Sequence, residues 1–144
     1  MDIQEYLNKR VEDQEKYFNR KAINNKKAYY LFSILKIVSS LTVTAISSFS
    51  KNTPVMIPII SSLVMLFESI LLLSKAKENW IEYRITSENL KSEEMLFLTG
   101  ASGYHGLNQD ESVGLFVENI ETIINRTNDK WRDRNKTKEE KQNA

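Results

Sequence analysis

Apolar and polar positions fall in blocks along this chain. Its first thirty residues are densely charged, with apolar residues at Ile3, Leu7, Val11, Phe18 and Ala22 forming one stripe at helical spacing. Two apolar runs follow. From Leu31 to Phe49 the single charge is Lys36, and from Val55 to Ser74 it is Glu68. After Lys75 charge returns, while Ala76, Trp80, Tyr83, Ser87, Leu90 and Phe97 recur at near-heptad spacing, with no helix breaker between run and stripe. The segment TGASGYHGLNQDE, Thr99 to Glu111, holds three of the four glycines. Gly100 is placed to end one helix, and Asn108 with Glu111 to start the next as a capping box. That last helix carries an amphipathic stripe of Val113, Phe116, Val117, Ile120, Ile123 and Ile124. From about Arg134 the chain reads RNKTKEEKQNA, the composition of a disordered tail.

Each apolar run is about 19 to 20 residues long, the length a helix needs to cross roughly 30 Å of hydrocarbon. The second run holds fourteen Val, Ile, Leu, Met and Phe residues. At roughly −0.4 kcal/mol each they supply about −6 kcal/mol of insertion energy, against about +2.5 to +3.5 for one acid at the centre. Insertion wins. The first run has ten such residues and seven Ser or Thr, and is expected to insert as half of a hairpin. The short link SKNTP forces antiparallel spans, and Pro54 suits a first helical turn. Pro58 either starts the second helix or bends it.

The expected fold is all-α: a transmembrane helical hairpin continuing into a cytoplasmic helical bundle. Residues 1–28 form an N-terminal cytoplasmic amphipathic helix, 29–50 the first span, 51–54 an external loop and 55–74 the second span. Residues 75–133 form C-terminal cytoplasmic helices joined by a Gly-containing turn, and 134–144 the tail. The alternative is a soluble bundle in which the remaining stripes enclose both apolar helices. Orientation follows the basic residues: Arg20, Lys21, Lys26 and Lys27 precede the first span and Lys75, Lys77 and Arg84 follow the second, with Lys51 alone between. Both termini are therefore expected on the cytoplasmic side.

The two interior charges share a depth. Lys36 lies 16 residues before Asn52 and Glu68 15 residues after Thr53. Both are then roughly 23 Å from the hairpin tip at 1.5 Å per residue, so they can pair. Lys36, Ser40, Thr44 and Ser47 share one helical face, as do Ser61 and Glu68. Two readings of this face stand. Small polar residues let helices pack closely, with Lys36 reaching the nearby interface. Or the face lines a water-filled path in an oligomer, since two helices cannot enclose a channel.

Composition narrows the chemistry. Lys and Arg total 20 against 19 acidic residues, so no nucleic-acid surface is expected. With no cysteine and one histidine, His105, there is no thiolate nucleophile, His cluster or expected metal. No cofactor is expected either. The glycines of G-x-x-G-x-x-G follow a helix and lack a phosphate-binding lysine, so a turn is the better account. Glu88, Glu93 and Glu94 read as a solvated or salt-bridged surface, and Arg84 and Lys91 as ion-pair partners of a neighbouring helix. Trp80 and Tyr83 suit interface anchors. No catalytic constellation emerges, so an enzyme is not expected.

The order of a basic-flanked span, short loop, second span with a late acid, WIEYR, an acid-and-leucine helix, FLTGASGYHG and LFVENIE resembles the SLATT superfamily of bacterial two-transmembrane effector domains, in a branch catalogued as a domain of unknown function. The resemblance covers about residues 3 to 125 and rests most on Trp80, Tyr83, Arg84, Glu88, Leu90, Lys91, Glu93, Tyr104 and Phe116. It implies an oligomeric membrane effector of bacterial conflict systems, in the inner membrane, that perforates the bilayer when a separate sensor or nucleotide-signalling protein fires. Glu68 matches the acid such domains carry late in the second span. A second function class stays open: a membrane-anchored adaptor or scaffold whose cytoplasmic helices bind a partner without conduction.

Overall fold

The computed structural model describes residues 3–49 and 55–142, with the side chains at positions 4, 8, 48, 49 and 133–142 outside the description. The chain runs through α1 (Ile3–Tyr6), a π-helical turn (Leu7–Val11), α2 (Glu12–Phe49), α3 (Met56–Ser74), α4 (Ala76–Thr99), a 3-10 turn (Ser102–Tyr104) and α5 (Gln109–Gln142). No strand occurs among the described residues, so the expected all-α class is what forms. The external loop predicted at 51–54 lies outside the described residues. Contacts divide the chain into two compact units, Met1–Lys21 with Glu82–Ala144, and Ala22–Ile81.

The first unit has its own core. Val11, Phe18, Leu90, Phe116 and Ile120 are all but sealed from solvent, with Tyr6, Leu7, Tyr104 and Ile124 beside them. Apart from Tyr6 and Tyr104, those residues come from the predicted N-terminal, α4 and α5 stripes brought face to face. Phe97 stacks on Phe116 at 4.4 Å between ring centroids, and Tyr6 meets Phe116 edge-on at 6.3 Å. Thr86 and Thr127, both buried, hydrogen-bond each other at 2.9 Å, so their hydroxyls enter the core satisfied. The π turn was not visible in the sequence; in it the Glu12 N–H donates to the Leu7 carbonyl, one residue further back than in an α-helix.

Local chemistry sets the helix ends of this unit. Gly100 at φ +63° lets the Ala101 N–H reach the Leu96 carbonyl at 3.1 Å and its own N–H the Phe97 carbonyl at 3.2 Å. This is the paired-bond helix stop that a left-handed glycine permits. The Asn108 side chain accepts from the Glu111 N–H at 2.9 Å while Glu111 accepts from the Asn108 N–H at 3.2 Å, the expected capping box. The backbone of α5 stays helical to Gln142, through most of the stretch expected as a disordered tail. Lys, Glu and Gln, which dominate that stretch, are good helix formers.

In the second unit, α2 and α3 lie against each other through Phe32 and Phe67, whose ring centroids are 6.2 Å apart. Both helices are long and apolar enough to cross a membrane, and neither apolar stretch is buried within the chain. Leu41, Met65 and Leu72 are 65%, 72% and 74% exposed. The chain therefore does not enclose its apolar helices as the soluble-bundle alternative requires. α3 starts at Met56 and runs through Pro58, which sits in its first turn where a missing N–H costs nothing. One feature departs from expectation. Lys75 takes the left-handed conformation (φ 47°, ψ 38°) and breaks the helix between α3 and α4, where no breaker was evident. The Asn79 amide donates to the Ser74 carbonyl at 3.1 Å, and the Asn79 N–H to the Lys75 carbonyl at 2.9 Å. The first bond satisfies a carbonyl the break would leave open, and the second opens the backbone ladder of α4.

Candidate functional site

The charged positions of the apolar helices meet. Lys36 Nζ on α2 lies 2.6 Å from Glu68 Oε2 on α3, an ion pair and hydrogen bond in one. Helix rise explains the meeting: residues equally far from a hairpin tip on antiparallel helices arrive at one level. In water such a pair is worth about 0–1 kcal/mol, since both groups lose hydration. In hydrocarbon, each unpaired charge costs about 2.5 to 3.5 kcal/mol at the span centre, so pairing favours one register of the helices.

The hydroxyls predicted to share this face turn back on their own helix. Ser40 donates to the Lys36 carbonyl at 2.9 Å, Thr44 to the Ser40 carbonyl at 3.1 Å and Ser47 to the Val43 carbonyl at 2.8 Å. Each bond directs a hydroxyl hydrogen to a carbonyl four residues back and makes the face less polar than the residue types suggest. Ser61 is half-buried, two turns before Glu68 on α3. The structure thus brings Lys36 and Glu68 together and strings the hydroxyls along the helices beyond them. No group of side chains suited to holding a metal ion occurs among the described residues.

The positions that carry the family resemblance do mostly packing and tethering. Leu90 and Phe116 are core residues. Arg84 pairs with Glu88 on its own helix at 2.7 Å and donates to the Asn19 side chain at 3.3 Å. Lys91 reaches Glu15 of α2 at 3.2 Å, a pairing between helices as expected. Glu93 is no mere surface acid: it accepts from the Tyr104 hydroxyl and, at 2.7 Å, from Asn119. Burial and that Glu93 bond push the Tyr104 hydroxyl up to about 12. The expected aromatic anchor pair divides. Tyr83 stacks on Phe18 at 6.0 Å beside the core of the first unit, whereas Trp80 sits in the second unit against Tyr29 and Tyr30.

Sequence reasoning missed one polar constellation. Arg10, within the π turn, donates two parallel hydrogen bonds to Glu121 of α5, each 2.9 Å, and Tyr6 donates to the same carboxylate at 3.1 Å. The Arg10 bonds hold the Glu121 carboxyl below its ordinary range, and burial together with Glu121 pushes Tyr6 up to about 12. Tyr6 and Arg10 stand more than a hundred residues before Glu121, and no local signal joins them to it.

Residues 13–112 match a family described as a protein of unknown function, DUF4231, a stretch that contains both apolar runs and α4. No curated protein and no solved structure matches the chain.

Proposed function

The chain belongs to the DUF4231 family, and from that premise we propose that it is an integral membrane effector, oligomeric and pore-forming or membrane-disrupting, of the SLATT type. In this reading α2 and α3 cross the bacterial cytoplasmic membrane with both termini in the cytoplasm. The setting is a conflict system, and a separate sensor or nucleotide-signalling protein supplies the trigger. The observation that carries the reading is the Lys36–Glu68 ion pair at 2.6 Å between helices whose apolar surface is uncovered. Ionisable residues are costly in a span, and where they occur they mark functional positions by default. Several copies are required, because a two-helix hairpin encloses no path.

Dye release from liposomes carrying the purified chain tests this. The native protein should leak, and Lys36→Leu and Glu68→Leu should each lower the rate by about tenfold, the equivalent of about 1.4 kcal/mol. Equal release from all three proteins removes the pair from the mechanism, and a tight native vesicle removes the pore.

A second reading, the adaptor, is favoured by Met95 and Leu98, which are 61% and 62% exposed on α4 within the polar unit. Large apolar side chains on a surface suit a protein partner. An intact membrane potential in cells that also retain a co-purifying partner supports that reading over the pore.

A further inference from the structure

We propose that the lysines and aromatic rings of residues 26–30 and 75–80 form a binding surface for the headgroups of anionic phospholipids. The proposal rests on the membrane reading above and goes beyond it in naming a lipid class and the residues that select it. Trp80 lies at the centre, its ring 6.4 Å from that of Tyr29 and 5.9 Å from that of Tyr30. Lys26 Nζ sits 5.3 Å from the Trp80 ring centroid. This contact holds the ammonium at the ring face by attraction to the π electrons. An ammonium carries three donors, so it can still bond an oxygen anion.

Charge around this centre is one-sided. Residues 22–31 contain Lys26 and Lys27 and no acid, and residues 75–81 contain Lys75 and Lys77 against Glu78 alone. Lys26, Lys27 and Lys77 are exposed, and Lys75 is half-buried. Among the described residues none of Lys27, Lys75 and Lys77 has a carboxylate partner. The left-handed Lys75 breaks the helix within this same stretch.

The neighbourhood selects a lipid over a free phosphate. The lysines stand where the apolar surface begins on α2 and ends on α3, and Leu31, Leu72 and Leu73 are all exposed. An anion held by the lysines can therefore lay attached acyl chains along apolar side chains of the same unit. Tryptophan and tyrosine settle at the headgroup level because one end of each ring system is apolar and the other wet. Lysines near an anionic leaflet add attraction that salt screens.

The test uses the full chain with Trp131→Phe, which leaves Trp80 as the sole tryptophan. The protein is reconstituted in phosphatidylcholine vesicles doped with either phosphatidylglycerol or phosphatidylcholine brominated in its acyl chains. Brominated phosphatidylglycerol should quench Trp80 more strongly, with a relative association constant of about five, the ratio one lysine near an anionic surface supports. The preference should fall towards unity in Lys27→Gln/Lys77→Gln. With the lysines intact it should also fall when salt is raised to about 0.5 M, which needs no further substitution. Equal quenching by both lipids overturns the headgroup surface while leaving the membrane reading intact. So does a preference that survives both the double variant and the salt. No quenching by either lipid overturns the membrane reading and this proposal together.

Discussion

The two units use apolar residues in opposite ways. In Met1–Lys21 with Glu82–Ala144, one apolar stripe from each of three helical segments turns inward, and Phe116, Ile120 and Leu90 are fully hidden. In Ala22–Ile81 the apolar residues outnumber the polar ones along both long helices, yet no residue of α3 is buried. The first unit meets the hydrophobic requirement with its own chain. The second leaves that requirement to its surroundings, whether lipid or further copies. Their polar contacts differ accordingly. The first unit ties helix to helix through several side-chain bonds at the margin of a core, whereas the α2 and α3 helices join through a single ion pair, Lys36–Glu68, among the described residues.

Equal truncations in the two units sharpen that contrast most. Phe116→Ala opens a cavity in a sealed core and should destabilise the first unit by about 3–5 kcal/mol. Leu72→Ala removes a side chain that touches little of its own chain and should stay within about 0.5 kcal/mol. Hydrogen exchange of the reconstituted protein reads both, as lost amide protection in α4 and α5 for the first and none for the second. Comparable losses would break the contrast.

A smaller effect probes the ion pair. The chain lacks cysteine, so Phe32→Cys with Phe67→Cys places two unique thiols for a pair of spectroscopic labels whose separation reports α2–α3 pairing. On that background Lys36→Leu or Glu68→Leu should weaken pairing by about 1–2 kcal/mol, and the double substitution should recover much of it. Loss of Lys36 should hurt more, because a lone lysine reaches the interface and a lone glutamate is too short. Additive losses would mean the charges act separately.

The smallest effects concern pH and belong to the first unit alone. Glu121 has a folded value lowered from 4.5 by Arg10, so its contribution is complete above that value and is lost as pH falls through the folded one. Both side chains are over a third exposed, and screening holds the gain to about 1 kcal/mol. Glu121→Gln should flatten the acid limb of stability. Tyr6 and Tyr104 keep their protons to about pH 12 rather than 10.0, so stability falls as pH rises between those values. Phe at both positions should remove that alkaline limb, read by tyrosinate absorbance and helicity.

Much of this was legible in one dimension, for identifiable reasons. Asn108 and Glu111 cap a helix because three-residue spacing alone sets the geometry. Phe116, Ile120 and Ile124 share a buried face because helical period alone aligns them. Lys36 could be matched to Glu68 because a tight hairpin converts residue counts into depth. Other contacts resisted. The left-handed Lys75 has no sequence mark, since lysine seldom takes that conformation. Tyr83 reads like Trp80 as an interface aromatic, and the two separate because successive positions on α4 serve different units.

The sequence by itself determined the helical segments, the stop at Gly100 and the cap at Asn108, the apolar runs and the level at which two opposite charges meet. All of these follow from composition and from a rise and period that are the same in every α-helix. Only the tertiary structure decided that Arg10 and Tyr6 converge on Glu121, that Glu93 serves Tyr104 and Asn119, and that Lys26 lies over Trp80. Those contacts depend on the rotation of each helix about its own axis relative to its neighbours. That angle is set by the packing of many side chains at once and is written at no single position of the chain.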